Sequence, residues 1–405
     1  MSQEILQHYS TIKDWQEDLY QHFHAHPEVS LQEFETANRI ETELHQLGLK
    51  PQRIGETGVV AVLKNGEGGS VLTRADIDAL PVQEATGLPY SSQLDGVMHA
   101  CGHDAHIASL LGAVRLLIEH KESWTGTYTA LFQPAEELAA GAQKMVDDGL
   151  TSKIPTPDVA FCQHVIVGKA GTVQTMSGPV LSAGDSIKIT LYGRGAHGSM
   201  PHTSVDTVVL AASVVLRLQT IVAREVEPGT FAVLTVGANN AGSKSNIIPD
   251  TAELLVNIRT YDEAVRQQII AAIERIVKAE CTVAGAPREP EFVYYDQYPL
   301  TSNNVEVNEK VTAAFAEQFG ECLLPGVPAT ASEDFSTIPD ALGIPYTYWF
   351  VGSSDAEVWT AAHERGTVAQ DIPANHNPGF APVLQPTLEV ATVAQLTAAL
   401  AYLGT

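Results

Sequence analysis

Short apolar segments alternate with longer amphipathic ones in the first 165 residues, and this alternation constrains the fold more than any other feature. Four segments have the character of buried strands: TGVVAVL (57–63), SVLTRA (70–75), TYTALF (127–132) and DVAFCQH (158–164). Between the second and third lies AHIASLLGAVRLLIEH (105–120), whose apolar residues recur at helical spacing. Buried apolar strands joined through helices predict an α/β fold with a mixed, largely parallel sheet and helices on both faces.

Two helices are predicted ahead of these strands, at about 10–24 and 31–47. In the second helix, Leu31 and Phe34 would begin an apolar face that recurs every three or four residues. Gly48 would end this helix, because glycine readily adopts the left-handed conformation that terminates many helices.

From about residue 184 the pattern becomes strand, helix, strand, strand, helix, strand, which is the order of a ferredoxin-like α+β unit. After this unit, IPYTYWFV (344–351) and a C-terminal helix from about residue 387 would rejoin the first sheet. We therefore predict one domain formed by residues 1–183 and 292–405, and an inserted ferredoxin-like domain formed by residues 184–291.

Polar side chains follow the predicted strands of the first sheet at the points where the strands end. Asp76 and Asp78 follow the second strand, Glu136 and Glu137 follow the third, and His164 ends the fourth. Ligands of open α/β sheets bind beyond the carboxyl ends of the strands. We therefore expect these side chains, all of metal-ligand types, to meet at one edge of the sheet.

The sequence MHACGHDAH precedes the predicted helix at residues 105–120 and offers a thiol and imidazoles together. Gly102 permits a sharp turn, so that Cys101 and His103 can converge on one ion. A helix N-terminus also favours the thiolate, which is the form that binds metal. The alternative for Cys101 is an inert buried thiol. His106 would face the helix surface if it is not a ligand, and His99 would support a ligand or be structural.

Glu136 and Glu137 can divide the two tasks of metal-assisted hydrolysis. One carboxylate binds a metal ion while its neighbour takes a proton from water. The alternative is a solvated acidic pair that opens a helix. His164 alone would be a core histidine, but its position opposite Cys101 and Glu137 favours a ligand. Asp76 is expected to orient a ligand or a water molecule from behind.

The composition limits the classes of partner and the cellular location that can be expected for this protein. A formal net charge of −25 argues against nucleic acid, whose phosphates require a basic surface. The sequence contains no run of 18 apolar residues, so it predicts no membrane span. The N-terminal segment MSQEILQHYSTIKDWQEDLYQHF lacks the basic-then-apolar order of a signal peptide, so a cytoplasmic location is expected. The four cysteines are too widely spaced to predict a disulfide scaffold.

Eight stretches along the chain resemble, in order, the M20 family of metallohydrolases. They are most similar to its amidohydrolase branch, which includes N-acyl-amino-acid amidohydrolases, aminoacylases, hippurate hydrolases and auxin-conjugate hydrolases. Together the stretches are far more specific than any one alone. They are RADIDALP (74–81), MHACGHDAH (98–106), FQPAEE (132–137), QHV (163–165), GRGAHGSMPH (193–202), SNIIPD (245–250), SEDFS (332–336) and NHNPGF (375–380).

The resemblance implies a catalytic domain that binds two divalent metal ions per subunit. By position, Cys101 matches the ligand that bridges the two ions, and the remaining ligands match His103, Glu137, His164 and His376. Zinc suits a thiolate bridge, whereas imidazole and carboxylate ligands also accept manganese, cobalt or nickel.

The resemblance also implies catalytic and substrate-binding residues. Glu136 matches the general base and Asp76 the aspartate behind the metal site. The inserted domain would be a lid through which two copies dimerise, with His197 supporting the oxyanion in a neighbouring active site. Asn246 and Arg259 match lid residues that bind the substrate carboxylate, a task that suits the planar guanidinium. For His202, which lies in the same stretch as His197, a purely structural role stays open as the alternative to a role in the site.

The activity that the resemblance implies is metal-dependent hydrolysis of an N-acyl amino acid, a small-molecule substrate, into a carboxylic acid and a free amino acid. A water held between the metal ions would lose its proton to Glu136 and attack the acyl carbonyl. Two alternatives stay open. A dipeptidase or carboxypeptidase on the same fold would cleave a peptide instead, and a non-catalytic metal-binding protein would keep the scaffold alone.

Overall fold

The computed structural model describes residues 2–404, and the side chains of residues 5–404. The chain forms two compact units. The first unit comprises Met1–Val180, Ser302–Pro328 and Asp334–Thr405. The second comprises Leu181–Thr301 and Ala329–Glu333. The domain boundaries at residues 184 and 291 stay a prediction.

The strands and helices of the described residues follow the predicted alternation. The strands are β1 Gln52–Ile54, β2 Gly58–Asn65, β3 Ser70–Asp76, β4 Gly126–Gln133, β5 Val159–Lys169, β6 Val173–Thr175, β7 Gly178–Leu181, β8 Ala183–Tyr192, β9 Ala196–His197, β10 Ala232–Ala241, β11 Ile247–Ile248, β12 Thr251–Thr260, β13 Glu291–Tyr298, β14 Thr301–Asn303, β15 Leu323–Pro325 and β16 Tyr346–Ser354. The α-helices are α1 Ser2–Gln7, α2 Lys13–Ala25, α3 Phe34–Gln46, α4 His103–Glu119, α5 Gly141–Asp147, α6 Leu150–Lys153, α7 Thr207–Arg224, α8 Glu263–Ala284, α9 Val305–Phe319, α10 Thr337–Leu342, α11 Ala356–Arg365, α12 Val368–Asp371 and α13 Leu384–Leu400.

An eight-stranded sheet organises the first unit, in the order β1-β2-β4-β3-β5-β16-β6-β15. The central strands β4, β3, β5 and β16 pair in parallel, as do β6 and β15. The pairs β1–β2, β2–β4 and β6–β16 are antiparallel. The prediction of a mixed, largely parallel sheet with helices is therefore confirmed. The central strands are buried along nearly their whole length, which explains why their sequences are continuous apolar runs.

Helix α4 lies at the centre of the first unit and carries the MHACGHDAH sequence at its start. It packs against α2, α13 and strands β3 and β5, and nearly every one of its residues is buried. A helix that is apolar on all sides is typical of a position inside the core. The metal-ligand candidate His103 is the first residue of α4, so it is held by a helix that is buried along nearly its whole length.

The second predicted helix begins later than expected. Helix α3 starts at Phe34, and Leu31 has a left-handed backbone with φ 65°. Both side chains are exposed, so the expectation that they begin a buried face is wrong. The carboxylate of Glu28 accepts hydrogen bonds from the first-turn amides of α3, which sets the start of the helix. The buried face consists of Ala37, Ile40 and Leu44.

The second unit contains a four-stranded antiparallel sheet in the order β10-β12-β8-β13, with α7 and α8 connecting its strands. This is the ferredoxin-like arrangement. Strand β12 alternates buried and less buried residues because one face of the sheet packs on the helices. Among residues 2–404, α7 alone is long and apolar enough to cross a bilayer, a weak indication that packed core helices also give. Its inner residues, including Leu210, Val214 and Leu218, belong to the core of this unit.

Candidate metal centre

Gly102 forms the turn that brings two ligand candidates together at the start of α4. It caps the helix with φ 89°, a left-handed conformation that side chains other than glycine rarely adopt. A Cβ atom at this position would lie 2.3 Å from Cγ2 of Val165. Only glycine therefore fits between Cys101 and His103, as the sequence predicted.

The imidazole of His103 is oriented from behind by Asp78. Its Nδ1 donates a hydrogen bond to the carbonyl oxygen of Asp78 at 2.9 Å and lies 3.2 Å from the carboxylate. This contact leaves the lone pair of Nε2 free, and Nε2 faces Oε1 of Glu137 at 3.9 Å. Neither atom has a hydrogen-bond partner although both are buried. Such a pair of orphaned ligand atoms fits a cation between them.

His164 is oriented in the same manner. Its Nδ1 donates to its neighbour's carbonyl oxygen, that of Val165, at 2.7 Å, so Nε2 carries the lone pair and lies 3.4 Å from Sγ of Cys101. Strand β5 continues to Lys169, so His164 lies within the strand rather than at its end. The side-chain amide of Asn375 donates to the carbonyl oxygens of Cys101 and Val165 and ties the two segments together.

His376 completes the cluster from the C-terminal part of the chain. Its backbone is left-handed, with φ 70°, and its amide donates to the carbonyl oxygen of Ala100 at 2.7 Å. The Nε2 atom lies 3.3 Å from Oε1 of Glu137. Its side chain is 55% exposed, whereas that of Glu137 is 10% exposed. His376 therefore lies on the solvent side of the cluster.

Glu136 and Glu137 lie in a 3-10 turn that follows β4. The turn is flanked by Ala135 with φ 46° and Ala139 with φ 51°, two left-handed residues that are not glycine. The amide of Glu137 donates to Oδ2 of Asp78 at 3.1 Å. Glu136 is buried. The carboxylate of Glu137 lies within 4.8 Å of ligand atoms of Cys101 and His103, whereas Glu136 is not part of that group, which agrees with a division of tasks.

Asp76 and His106 form a buried pair beside the ligands. Nδ1 of His106 donates to Asp76 at 2.5 Å, and Nε2 of His106 accepts from the amide of Val165 at 2.9 Å. Both ring nitrogens are thus occupied, which argues against a metal bond to His106, and its buried position excludes the surface role. The second oxygen of Asp76 accepts from the guanidinium of buried Arg74 at 2.7 Å and lies 3.6 Å from Nε2 of His103.

The electrostatics of the cluster favour a cation. Burial raises the pKa of the Cys101 thiol well above its usual range, and the carboxylates of Glu137, Glu136 and Asp76 raise it further. Burial disfavours charge on His103, but Asp76, Asp78 and Glu137 outweigh it and raise the pKa to about 10. Protons thus hold the positions that a metal ion would take, and metal binding displaces such protons.

The donor set fits one or two divalent ions. Ligand atoms of Cys101, His103 and Glu137 all lie within 4.8 Å of one another. His164 and His376 contact members of this group at 3.4 and 3.3 Å. A thiolate, imidazoles and a carboxylate are ligands of zinc and of other late first-row metals. The five predicted ligands therefore converge within the first unit.

Comparison with known proteins decides the family. The sequence model of Peptidase family M20/M25/M40 matches residues 72–375. The chain belongs to this family. N-acetyl-L-cysteine deacetylase of Bacillus subtilis (strain 168) is 37% identical over 364 residues, covering 86% of this chain and 83% of that protein. Hippurate hydrolase of Campylobacter jejuni is 37% identical over 323 residues, covering 79% of this chain and 83% of that protein.

Two further matches bear on the chemistry of this M20 protein. Thermostable carboxypeptidase 1 of Saccharolobus solfataricus is 35% identical over 348 residues, covering 84% of this chain and 86% of that protein. A solved Bacillus subtilis structure, titled a dinuclear metal binding peptidase from the M20 family, has a TM-score of 0.78 at 29% identity and covers 96% of this chain and 98% of that one. The present chain is therefore a metal-dependent amidohydrolase, and two divalent ions fit its site.

The remaining predicted residues of this M20 protein lie in the second unit. His197 is in β9, which pairs with β11, and the carbonyl oxygen of Asn246 accepts from the amide that follows His197. The structure thus brings His197 and Asn246 together. Arg259 lies in β12, where its guanidinium donates to Asn257 and Ser332. His202 is exposed in a short 3-10 turn.

Sequence reasoning missed the role of two residues in the M20 site. The sequence presents Asp78 only as a strand-end carboxylate and points to Asp76 for orienting a ligand, whereas the carboxylate that contacts Nδ1 of His103 is that of Asp78. Its spacing from Asp76 was the available signal. Asn375 carried no signal except that it precedes His376. His99 is fully buried, and burial lowers its pKa to about 4, which agrees with a neutral core histidine.

Proposed function

We propose that this M20 amidohydrolase cleaves the amide bond of N-acyl amino acids and releases a carboxylic acid and a free amino acid. The observation that carries the proposal is the position of buried Glu136 directly beside Glu137, whose orphaned oxygen faces His103 and His376. Glu137 is thus the proposed metal ligand, and buried Glu136 beside it is the proposed group for proton transfer.

Cys101, His103, Glu137, His164 and His376 would hold two divalent ions, with zinc as the expected metal and manganese, cobalt or nickel as alternatives. The bound metal supplies a Lewis acid that polarises the acyl carbonyl and lowers the pKa of water. Asp78 keeps the His103 lone pair directed into the cluster. The Val165 carbonyl does the same for His164.

Glu136 is the proposed general base and general acid. Its carboxylate takes the proton of the attacking water and later delivers it to the leaving amide nitrogen, so that the amino acid leaves as a neutral amine. General acid–base catalysis of this kind contributes on the order of 10²- to 10⁴-fold in rate. Asp76 would support the site indirectly, through His106 and His103.

His197 is suited to stabilise the oxyanion that forms at the acyl carbonyl. Its Nδ1 accepts from the amide of Ser199 at 3.2 Å, so the ring proton resides on Nε2. The side chain is exposed, and Nε2–H is available as a donor. One such donor stabilises a tetrahedral oxyanion by roughly 3–4 kcal/mol.

The second unit supports an active homodimer. Eight residue steps separate Gly184, the strand partner of Arg259, from Tyr192, which is roughly 27 Å of strand at about 3.4 Å per residue. His197 lies beyond Tyr192. An amino acid derivative is too short to reach both Arg259 and His197 of one subunit, so the two would act on one substrate only if they came from different subunits.

The surface of the second unit also fits dimerisation. The outer face of α7 exposes Val208, Val209 and Leu216. The adjacent strand β10 lies at the edge of the sheet, with its outer backbone groups unpaired by another strand of the sheet. Exposed apolar surface beside an open edge strand is typical of an interface. The unit would then be a lid and dimerisation domain, with Asn246 and Arg259 binding the substrate carboxylate.

A peptidase is the second candidate, and the carboxypeptidase relative favours it. A carboxylate-binding arginine would serve a C-terminal peptide as well as an acyl amino acid.

A cytoplasmic location stays a prediction. The four cysteines are unpaired, as is usual for proteins of reducing compartments.

Metal-stripped protein should be assayed on N-acetyl, N-benzoyl and longer-chain acyl amino acids and on dipeptides, with zinc, manganese, cobalt or nickel restored. We expect metal-dependent release of amino acid from the acyl substrates. Release from dipeptides alone would establish the peptidase instead. If the metal-loaded protein hydrolysed none of these substrates, both the acyl-amino-acid hydrolase and the peptidase proposals would be refuted.

The paired variants Glu136→Gln and Glu137→Gln test the division of tasks. Glu136→Gln should keep its metal and lose at least about 10²-fold in kcat, because an amide cannot accept the proton. Glu137→Gln should lose metal affinity first. A Glu136→Gln protein with near-normal kcat would refute the assignment of the base.

A further inference from the structure

The segment before α3 contacts the metal centre from behind. Val29 forms a parallel bridge with Ala79, whose amide donates to the carbonyl oxygen of Glu28 at 2.8 Å. The hydroxyl of Ser30 donates to Oδ2 of Asp78 at 2.6 Å. Residues 28–30 lie between the two predicted N-terminal helices, and nothing in the proposed chemistry uses them. The segment nevertheless lies against the aspartate that orients His103.

Within this segment, Glu33 contacts the turn that carries Glu136 and Glu137. Its side chain is fully buried, and Oε1 accepts hydrogen bonds from the amides of Ala135 and Leu31, both at 2.9 Å. Oε2 accepts from the Thr57 hydroxyl at 2.8 Å. None of these partners is a cation, and Asp78 is a nearby negative charge. Burying a carboxylate without a cationic partner costs free energy, so the hydrogen bonds from Ala135, Leu31 and Thr57 must compensate for the burial.

Glu33 occupies the N-cap position of α3 without capping the helix. Its side chain makes no cap hydrogen bond. The carboxylate of Glu28 instead accepts from the amides of Glu35 and Thr36, at 3.2 and 2.8 Å. An acidic N-cap residue ordinarily binds those amides itself. Glu28 binds those amides here, and the Glu33 carboxylate accepts separately from the amide of Ala135, beside Glu136 and Glu137.

Ala135 is the residue of that turn that most needs an external partner. Its left-handed backbone, φ 46° and ψ 43°, is unfavourable for alanine. Its carbonyl oxygen accepts from the amide of Gly141 at 3.1 Å, and a Cβ on Gly141 would lie 1.5 Å from the carbonyl oxygen of Pro134. Local contacts thus fix the carbonyl side of Ala135. Glu33 supplies the partner for its buried amide.

We propose that Glu33 is a positioning residue that fixes the Ala135 peptide and thereby the directions of the Glu136 and Glu137 carboxylates. The role assigned to Glu136 rests on the proposed function, whereas the effect on Glu137 concerns metal binding alone. Glu33 acts through the length of its side chain rather than through its charge. A single acceptor oxygen binds both amides, so a neutral side chain of the same length can do the same.

Two substitutions separate reach from charge. Glu33→Gln keeps the length of the side chain, so its carbonyl oxygen can accept both amides while its NH₂ group meets the Thr57 hydroxyl. Glu33→Asp keeps the charge but is one methylene too short to reach Ala135. Aspartate is a favourable N-cap residue, so α3 should still form in this variant. Glu28→Ala is the matched control, since it weakens the start of α3 without touching the turn.

Three measurements should be made on each protein: zinc affinity by competition with a chromophoric chelator, hydrogen exchange of residues 132–141 in the metal-free state, and kcat and KM at saturating metal. We expect Glu33→Gln to stay within about threefold of wild type in zinc affinity and kcat. Glu33→Asp should lose roughly 10- to 100-fold in zinc affinity. Its kcat should fall on the order of 10²-fold with little change in KM, and residues 132–141 should exchange faster.

Glu28→Ala should melt at a lower temperature with unchanged zinc affinity and kcat. The proposal is overturned if Glu33→Asp matches wild type, or if Glu33→Gln is as impaired as Glu33→Asp. Zinc affinity and hydrogen exchange need no substrate. If wild type hydrolyses no acyl amino acid while these two readouts change as expected, the proposed function fails and the positioning role stands.

Discussion

Asp78 shows how one side chain outside the proposed ligand set can orient two of the proposed ligands, His103 and Glu137. One carboxylate oxygen contacts Nδ1 of His103, and the other accepts from the amide of Glu137. The pKa of Asp78 is lowered, because its hydrogen bonds to His103 and Ser30 outweigh the effect of burial. The carboxylate is therefore ionised and binds both ligand residues with charge-assisted hydrogen bonds.

Asp78→Asn should lower metal affinity by roughly 10- to 100-fold, because an amide has a single acceptor oxygen for the three donors of Ser30, His103 and Glu137. Metal affinity of the purified variant, measured by chelator competition, checks this. Asp185→Asn is the control: Asp185 is equally buried but binds Arg266 in the second unit. That variant should lose stability and keep metal affinity. Equal metal affinity in the two variants would contradict the role of Asp78.

At the scale of elements, helices α2 and α4 are joined by a buried ion pair. Nδ1 of His24 on α2 donates to Asp104 on α4 at 2.6 Å, and Nε2 donates to Glu84 at 3.2 Å. With a carboxylate acceptor at each nitrogen, the geometry favours the charged imidazolium. Burial opposes the charge, but Asp104 and Glu84 outweigh it and raise the pKa of His24 above its usual 6.5. Tyr20 and Tyr90 pack against the ring.

This ion pair predicts a pH dependence of stability. Since the pKa of His24 is raised on folding, its contribution is complete below pH 6.5 and is lost as pH rises through the folded-state pKa. His24→Gln should reduce the free energy of unfolding by about 3 kcal/mol near neutral pH. The difference from wild type should narrow by at most about 1.4 kcal/mol per pH unit above neutrality.

Urea unfolding of wild type and His24→Gln, both in the same metal-loaded state, checks this over about pH 7 to 9. Other titrating groups are common to both proteins, so they cancel in the difference. A difference that stays constant or grows with pH would mean that His24 is neutral in the folded protein.

At the scale of the whole molecule, the apolar outer face of α7 predicts that the protein is a dimer in solution. Leu216 is 71% exposed and Val209 is 62% exposed. Leu216→Glu would place a charge in the proposed interface, where desolvation opposes association. We expect this variant to be a monomer at micromolar concentration, with a large loss of kcat if His197 acts across the dimer.

Sedimentation analysis of Leu216→Glu and Val283→Glu tests the interface. Val283 is 83% exposed on α8, so its substitution matches the chemical change on a different helix. Val283→Glu should remain a dimer. A wild-type protein that is monomeric at all concentrations would refute the proposed dimer, and a dimeric Leu216→Glu would exclude this face of α7.

Much of this architecture could be predicted from local patterns. Apolar runs, period-two alternation and helical periodicity identified most elements because burial acts residue by residue along each strand and helix. Among the ligand candidates, His376 was implied only by the resemblance to the M20 family. Cys101, His103, Glu137 and His164 were found because they lie in short stretches with metal-ligand chemistry. These features depend on residues adjacent in sequence.

The groups that support those candidate ligands could not be predicted in this way, because they come from distant parts of the chain. Glu33 contacts Ala135, His106 binds Asp76 and Val165, and Asn375 ties Cys101 to Val165. These contacts join segments far apart in the chain, and they follow from strand order and from left-handed turns that no periodicity encodes. The sequence determined which side chains could bind metal. Packing determined which nitrogen, oxygen or sulfur atom each one presents, because a buried polar atom points to whatever partner the fold brings within reach.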